Sequence, residues 1–266
     1  MQLGLRSVWR QRFITALIIL ISIAAIGWLQ YPQLQKLQAK SQTASVEELR
    51  QDIAAEKVRL AFLQKMPTFG FDNLMGDWVF LNFLQYFGDQ PARQKTDYTL
   101  SPEFFEVVLK RDPYFMRAYT FLSTSSSIYA GLPDRSIDLM KRSLESLKPN
   151  VPPNSYTVWR QLGVDQLLFQ GDAAAARNSF LKAAEWAAQS SEPDSQTVAQ
   201  ISQQTADFLA TNPNSKTAQV AAWVMVLSNA PDDRTRQTAV QRIEALGGKL
   251  VKQPDGSFSV RSPAKD

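Results

Sequence analysis

Residues 13–31, "FITALIILISIAAIGWLQY", run for 19 positions without a charge, and this constrains the chain more than any other feature. As a helix the run is about 28 Å long, the hydrocarbon thickness of a bilayer. A helix satisfies its backbone polar groups internally, as a segment in lipid must. Arg6, Arg10 and Arg12 precede it with no acid among them, and Trp9, Trp28 and Tyr31 stand at the two expected interfaces. The basic flank predicts a cytoplasmic N-terminus and an extracytoplasmic body, in a periplasm or a thylakoid lumen. A cleaved signal peptide is the competing reading, since "SIAAIG" offers small residues. Continuation of the apolar run to Leu29, without an A-x-A site, favours an uncleaved anchor.

The chain is basic overall, yet its charge is uneven. Residues 1–65 hold nine Lys/Arg against four Asp/Glu, which leaves 20 against 21 for the remainder. A nucleic-acid surface needs clustered positive charge, so a nucleic-acid partner is excluded for the main body. There is no Cys and no His in 266 residues, which removes thiol chemistry, disulfides, the usual transition-metal ligands and the commonest general base.

After a Gln-rich spacer, "SVEELRQDIAAEKVRLAFLQKMP" opens with a capping box at Ser45 and Glu48. Val46, Leu49, Ile53, Leu60 and Leu63 recur at helical spacing, so an amphipathic helix is expected up to Pro67. Helical segments then alternate with short turns, and prolines 113, 133, 149 and 153 fall at or outside their ends. Asp134, Asp194, Ser215 and Asp232 or Asp233 are candidate N-caps, and Gly247-Gly248 is a helix stop. "KLVKQPDGSFSV" reads as a hairpin with its turn at "PDG", before a frayed tail. The organisation expected is therefore a flank and anchor (1–31), a spacer and amphipathic helix (32–66), repeats (67–190), further helices (191–247) and a hairpin with tail (248–266).

Repetition is clearest in "TVWRQLGVDQLLFQGDAAAARNSFLKAAEWA" (157–187). Trp159, Leu162 and Gly163 fit a W-x2-L-G first helix, and Ala176, Phe180 and Ala183 fit an A-x3-F-x2-A second helix. Small residues let two antiparallel helices approach while large ones fill the space between pairs. Weaker units occur at 104–113 and 118–149, with Ser123 and Asn82 where the first-helix Gly would stand. On these motifs residues 76–190 resemble the tetratricopeptide repeat superfamily. Trp78, Leu81, Gln85, Tyr86, Gly88 and Asp89, followed by "RDPYFMRAY", are also similar to a group of membrane-anchored bacterial and cyanobacterial repeat proteins. The resemblance implies a solenoid of antiparallel helix pairs, so the architecture expected is all-α, with the N-terminal transmembrane helix before the solenoid and the small C-terminal hairpin after it. It also implies a concave groove lined from the first helices, here Val79, Phe83, Tyr86, Arg117, Thr120, Thr124, Arg160 and Val164. Such a groove suits a peptide with apolar anchors and an acidic or C-terminal carboxylate group.

The segment 69–89, "FGFDNLMGDWVFLNFLQYFGD", holds seven aromatic residues in 21 and could be a cofactor pocket, a membrane-dipping surface or a packed helix. Core packing is expected to account for most of the rings, with Trp78 and Leu81 on the buried seam and Phe83 and Tyr86 either in the groove or under the preceding helix. Asp77 reads as a helix-start residue and not as half of a carboxylate pair with Asp89, since one helix would separate them by about 18 Å. "STSSS" (123–127) has no His to activate a hydroxyl and reads as a small-residue packing face. No convergent catalytic set, cofactor box or metal-ligand set emerges. The expectation is a non-enzymatic scaffold that binds a protein partner, plausibly a subunit of a membrane complex during assembly. A permanent structural subunit of such a complex is the alternative.

Overall fold

Helix α1 (Thr15–Pro32) is long and apolar enough to cross a membrane, and none of its span is buried against protein. The computed structural model describes residues 15–32, 43–230, 233–252 and 258–263. The basic flank with Trp9, the spacer at 33–42, the "PDG" turn and the last three residues lie outside the described residues.

Helix α2 (Val46–Leu63) begins at the expected reciprocal cap. The Glu48 amide donates to Ser45 Oγ at 3.2 Å, and the Ser45 amide donates to Glu48 Oε2 at 2.9 Å. Two compact units follow from the chain's contacts, residues 1–52 with 89–96 and residues 53–88 with 97–266. The first is small. Ala44, Leu49 and Ala92 form its apolar cluster, Asp89 caps the short helix α4 (Gln90–Thr96), and Lys95 Nζ donates to the Ala44 carbonyl at 3.0 Å.

The second unit is built from helices that pack in opposite directions. Helix α3 (Asp72–Gly88) lies on α5 (Ser101–Arg111). Tyr86 stacks near Phe104 at 5.2 Å, Phe83 meets Phe105 at 4.5 Å, and a side chain at Gly76 would touch Asp112, Val108 and Arg111. Ascending positions on one helix thus meet descending positions on the other. The buried stripe of α3 is Gly76, Val79, Phe80 and Phe83. That stripe corrects the expected register: Trp78 is 44% exposed and Leu81 58% exposed. At 100° per residue, positions 78 and 81 fall outside the arc spanned by 76, 79, 80 and 83. The helix also starts at Asp72, so Asp77 is an exposed residue of its middle and not a cap.

The next two pairs share one construction. Helix α6 (Met116–Leu122) passes into a π-helical turn, Ser123–Tyr129, before α7 (Pro133–Leu144). Helix α8 (Tyr156–Asp165) passes into a π-helical turn, Gln166–Gln170, before α9 (Ala173–Ala188). An amide closes each turn on the carbonyl five residues back, Ala130 to Ser125 and Gly171 to Gln166. Gly131 (φ 68°) and Gly171 (φ 67°) then reverse the chain from the left-handed region that L side chains avoid. Between α8 and α9, Trp159 meets Trp186 edge-on at 5.8 Å and Ser179 Oγ donates to Gln166 Oε1 at 2.7 Å. At Gly163 an added Cβ would lie 3.1 Å from the Phe180 ring, the close approach that a small-against-large motif requires.

Capping follows the sequence in part. Ser215 Oγ accepts from the Ala218 amide at the start of α11 (Lys216–Ser228), whereas Asp194 makes no side-chain cap before α10 (Ser195–Thr211). Asp233 opens α12 (Asp233–Ala245) from its first turn, and Asp232 is outside the described residues. Asp134 is not a cap, because Leu132 holds that position; its carboxylate accepts from Gln170 Nε2 at 2.8 Å. The Gly248 amide bonds back to Ile243 O, and Gly247 (φ 88°) ends α12 as expected. Strands β1 (Lys249–Lys252) and β2 (Phe258–Arg261) pair antiparallel with Leu250 opposite Val260.

Candidate partner-binding site

The eight groove residues expected from the sequence separate into three groups. Val79 and Phe83 are core: Phe83 is enclosed by Phe80, Phe104, Phe105 and Phe121, with ring centroids 4.5–6.1 Å away. Tyr86 is half-buried, and its hydroxyl donates to Asp97 O at 3.4 Å while accepting from the Leu100 amide at 3.3 Å. Thr124 and Val164 are buried as well, since the π-helical turn after α6 and the α8–α9 seam turn them inward. A groove with an apolar end at Val79 and Phe83 is therefore absent from α3.

Arg117, Thr120 and Arg160 do converge. They line one pocket of about 370 Å³ together with Asn154, Thr157 and Gln161 and, from α11 and its end, Met225 and Asn229. Helices α6 and α8 supply the two arginines one helix apart, and α11 closes the opposite wall. Among the described residues, no carboxylate lines this pocket. Arg160 Nη2 rests on Met225 Sδ at 3.3 Å, and its Nε is buried without a hydrogen-bond acceptor. Burial pulls the Arg160 guanidinium below its ordinary value, with Tyr156 opposing that shift. Arg117 is exposed at the pocket wall and forms no ion pair among the described residues. Two guanidinium groups thus face a space into which no described residue brings a negative charge, while the Thr157 hydroxyl and the Gln161 and Asn229 amides on its walls already donate to Asn154 O, to Ser123 and Asp165, and to Met225 O. A carboxylate or another compact anion would satisfy the orphan Nε–H and offset the buried charge.

Behind the pocket lies a residue that the sequence reading passed over. Asp165 is fully buried, and its carboxylate is surrounded by Ser123 (2.6 Å), Ser127 (2.7 Å), Ser136 (3.0 Å) and Gln161 Nε2 (3.2 Å). Burial raises its pKa despite the four donors, which act in the opposite sense. Gln161 faces both ways, lining the pocket and donating to Ser123 Oγ at 2.8 Å. The hydroxyl run at 123–127 is thus a packing face, as read from the sequence, with a buried acid as its focus. That acid could have been sought, because a cluster of buried hydroxyls needs a shared acceptor.

Two tyrosines of this region are engaged in the fold. Tyr119 donates to Pro113 O at 2.7 Å, and Tyr129 packs edge-on against Phe87 and Tyr98 beneath the Arg234 guanidinium, which sits 4.3 Å from its ring. Compared with known proteins, the chain matches no family model, no curated protein and no solved structure.

Proposed function

We propose that this chain is a membrane-anchored, tetratricopeptide-like scaffold that holds a protein partner on the extracytoplasmic side, through the pocket between α6, α8 and α11. The partner presents an acidic or C-terminal carboxylate group and belongs to a membrane complex under assembly. The observation that carries this reading is Arg160, whose buried Nε–H has no acceptor among the described residues, in a pocket that none of their carboxylates lines. A buried donor left unpaired costs about 1–3 kcal/mol, which an anionic group seated in the pocket would offset. The repeated construction of α6–α7 and α8–α9 supports the solenoid reading, and α1 supports the anchor. Tethering to a bilayer raises the effective concentration of a membrane partner, so a weak pocket can still be occupied.

The experiment is photo-crosslinking of the full chain in its native membrane from a reactive residue at Thr157, on the pocket wall, followed by identification of the attached protein. The expected result is a membrane protein recovered below one-to-one ratio and lost in an Arg117→Gln/Arg160→Met variant. Crosslinking unaffected by that variant overturns the pocket, and recovery at a fixed ratio through detergent supports a permanent subunit instead.

A further inference from the structure

Beyond the Arg160 pocket, one feature is used neither by the fold nor by the proposed partner site: the tip formed by the end of α2, the connection at 64–71 and the start of α3. Phe69 is 88% exposed, and Phe71 and Leu74 are each 67% exposed. With Met66, Met75 and Trp78 they line an open apolar cleft of about 580 Å³ that no charged side chain enters. Soluble surfaces seldom gather aromatics in this way without an occupant.

The tip is held in shape. Arg111 reaches beneath it from α5, donating to the carbonyls of Leu63 (2.8 Å) and Met66 (2.5 Å) and to Asp72 Oδ1 (3.1 Å). Lys110 Nζ adds a bond to Gln64 O at 3.1 Å. Phe69 lies in the left-handed region (φ 52°), followed by Gly70 at φ 91°. A bulky residue rarely occupies that region, and here the two residues turn both phenylalanines outward from a fixed base. Trp78 closes the cleft with the Arg59 guanidinium 5.0 Å from its ring, and Lys65, next in the chain to the cleft residue Met66, is exposed. Phenylalanine and leucine at the apex, with tryptophan, arginine and lysine behind, is the order of side chains that suits a water–lipid boundary.

A lipid surface is also the one apolar partner that the chain itself supplies. Helix α1 is long and apolar enough to be embedded, and residues 33–45 can extend at most about 45 Å before α2 begins. From these observations we infer that the Phe69–Phe71–Leu74–Trp78 tip inserts into the interfacial layer of the bilayer that holds α1. It acts as a second, shallow membrane contact that sets how the helical body faces the membrane. Basic and acidic groups around the tip nearly balance (Arg59, Lys65, Lys110 and Arg111 against Glu56, Asp72 and Asp77), so neutral lipid suffices and added salt has little effect.

This inference rests on the anchor part of the proposed function, and the test separates the two. The chain has no cysteine, so an Asn73→Cys change places one environment-sensitive fluorophore in the tip without removing any apolar residue. A Gln204→Cys change on α10 serves as the water-facing reference. The full chain is reconstituted into phosphatidylcholine vesicles and floated. The expected result is several-fold stronger quenching at position 73 than at 204 by nitroxide-bearing lipid, with the reverse order for aqueous iodide. Adding Phe69→Ser and Phe71→Ser should return position 73 to the reference level without lowering helicity. Failure of the chain to float overturns the anchor and this inference together. A floated chain whose position 73 stays open to iodide overturns the inference alone. Shielding seen only in native membranes, and absent in pure lipid, also overturns it and assigns the tip to a protein.

Discussion

Ser123 Oγ lies 2.6 Å from Asp165 Oδ1, and this bond ties the π-helical turn after α6 to the last residue of α8. Ser127 and Ser136 complete the link at Oδ2, so three hydroxyls from one helix pair converge on an acid of the next. The interaction therefore reports on how successive pairs are fastened together.

Its pH dependence has a definite sign. Burial raises the folded-state pKa of Asp165 above the value of an unfolded chain. The folded state therefore holds its proton more tightly, and the contribution to stability is fully present below the ordinary carboxylate range. It is lost as pH rises through the raised value, by at most about 1.4 kcal/mol per pH unit for one proton. Urea unfolding of the detergent-solubilised full chain between acidic and neutral pH should show this slope. In Asp165→Asn the slope should shrink, and at neutral pH the variant should equal or exceed the parent, because the amide oxygen can still accept from Ser123 and Gln161 while its NH2 donates to Ser127 and Ser136, whose hydroxyls turn to accept, with no buried charge. Asp165→Ala, which orphans three buried hydroxyls, should lose about 2 kcal/mol or more at every pH. An unchanged slope in Asp165→Asn would show that this acid does not titrate there.

Gly163 and Phe180 test the seam between α8 and α9. Alanine is the better helix former by about 1 kcal/mol, yet its methyl would press the buried Phe180 ring at 3.1 Å. Overpacking of this kind costs about 1–3 kcal/mol, so Gly163→Ala should lower stability modestly. Combining it with Phe180→Leu should recover part of that loss relative to the sum of the single changes. A double-mutant cycle in thermal unfolding measures the coupling, and additivity within error would place the two side chains out of contact.

Where signals are local, the sequence was sufficient. The Ser45–Glu48 box, the Gly247 stop and the Gly163–Phe180 approach each depend on residues within one helix end or one motif. Helix α3 was not resolvable in the same way. It is apolar on most of its circumference, so periodicity alone cannot choose between a stripe through Trp78 and Leu81 and one through Val79 and Phe83. Gly76, mid-helix against Val108, was the available clue to the true face. Asp165 escaped notice because a lone acid in an amphipathic helix normally marks the wet side. Its three serine partners came from 29 to 42 residues away, and only the tertiary structure assembles them. Arg117, Thr120 and Arg160, which the expected register places along one groove, line one pocket. Thr124 lies in the π-helical turn after α6 and Val164 on the seam between α8 and α9, and both are buried.

The true face of α3 gives a sharp contrast between neighbours. Phe83→Ala should cost about 3–5 kcal/mol, since the ring is fully enclosed by other rings. Leu81→Ser, two positions away on the outer surface, should cost less than about 1 kcal/mol. Circular-dichroism melts of the two variants decide the register directly. Comparable losses at both positions would mean that the outer surface is covered in the intact protein.

Arg160 separates a ligand site from a structural one by the signs of two measurements. Its guanidinium is partly desolvated, lacks a carboxylate neighbour and touches Met225 through Nη2. Arg160→Met keeps a long side chain against Met225 and removes both the unpaired charge and the orphan Nε–H. Stability should therefore stay level or rise by up to about 1 kcal/mol. Binding should move the other way. A charge-assisted bond to an anionic group is worth about 1.5–3 kcal/mol, so partner affinity should fall at least about tenfold. Arg117→Gln, at the exposed wall, should give a smaller loss that shrinks as salt is added. Denaturant unfolding and recovery of the crosslinked partner, measured on the same preparations, supply both readings. If Arg160→Met destabilises the chain while partner recovery falls only in proportion to unfolding, the arginine is a packing residue and the pocket is not the docking site.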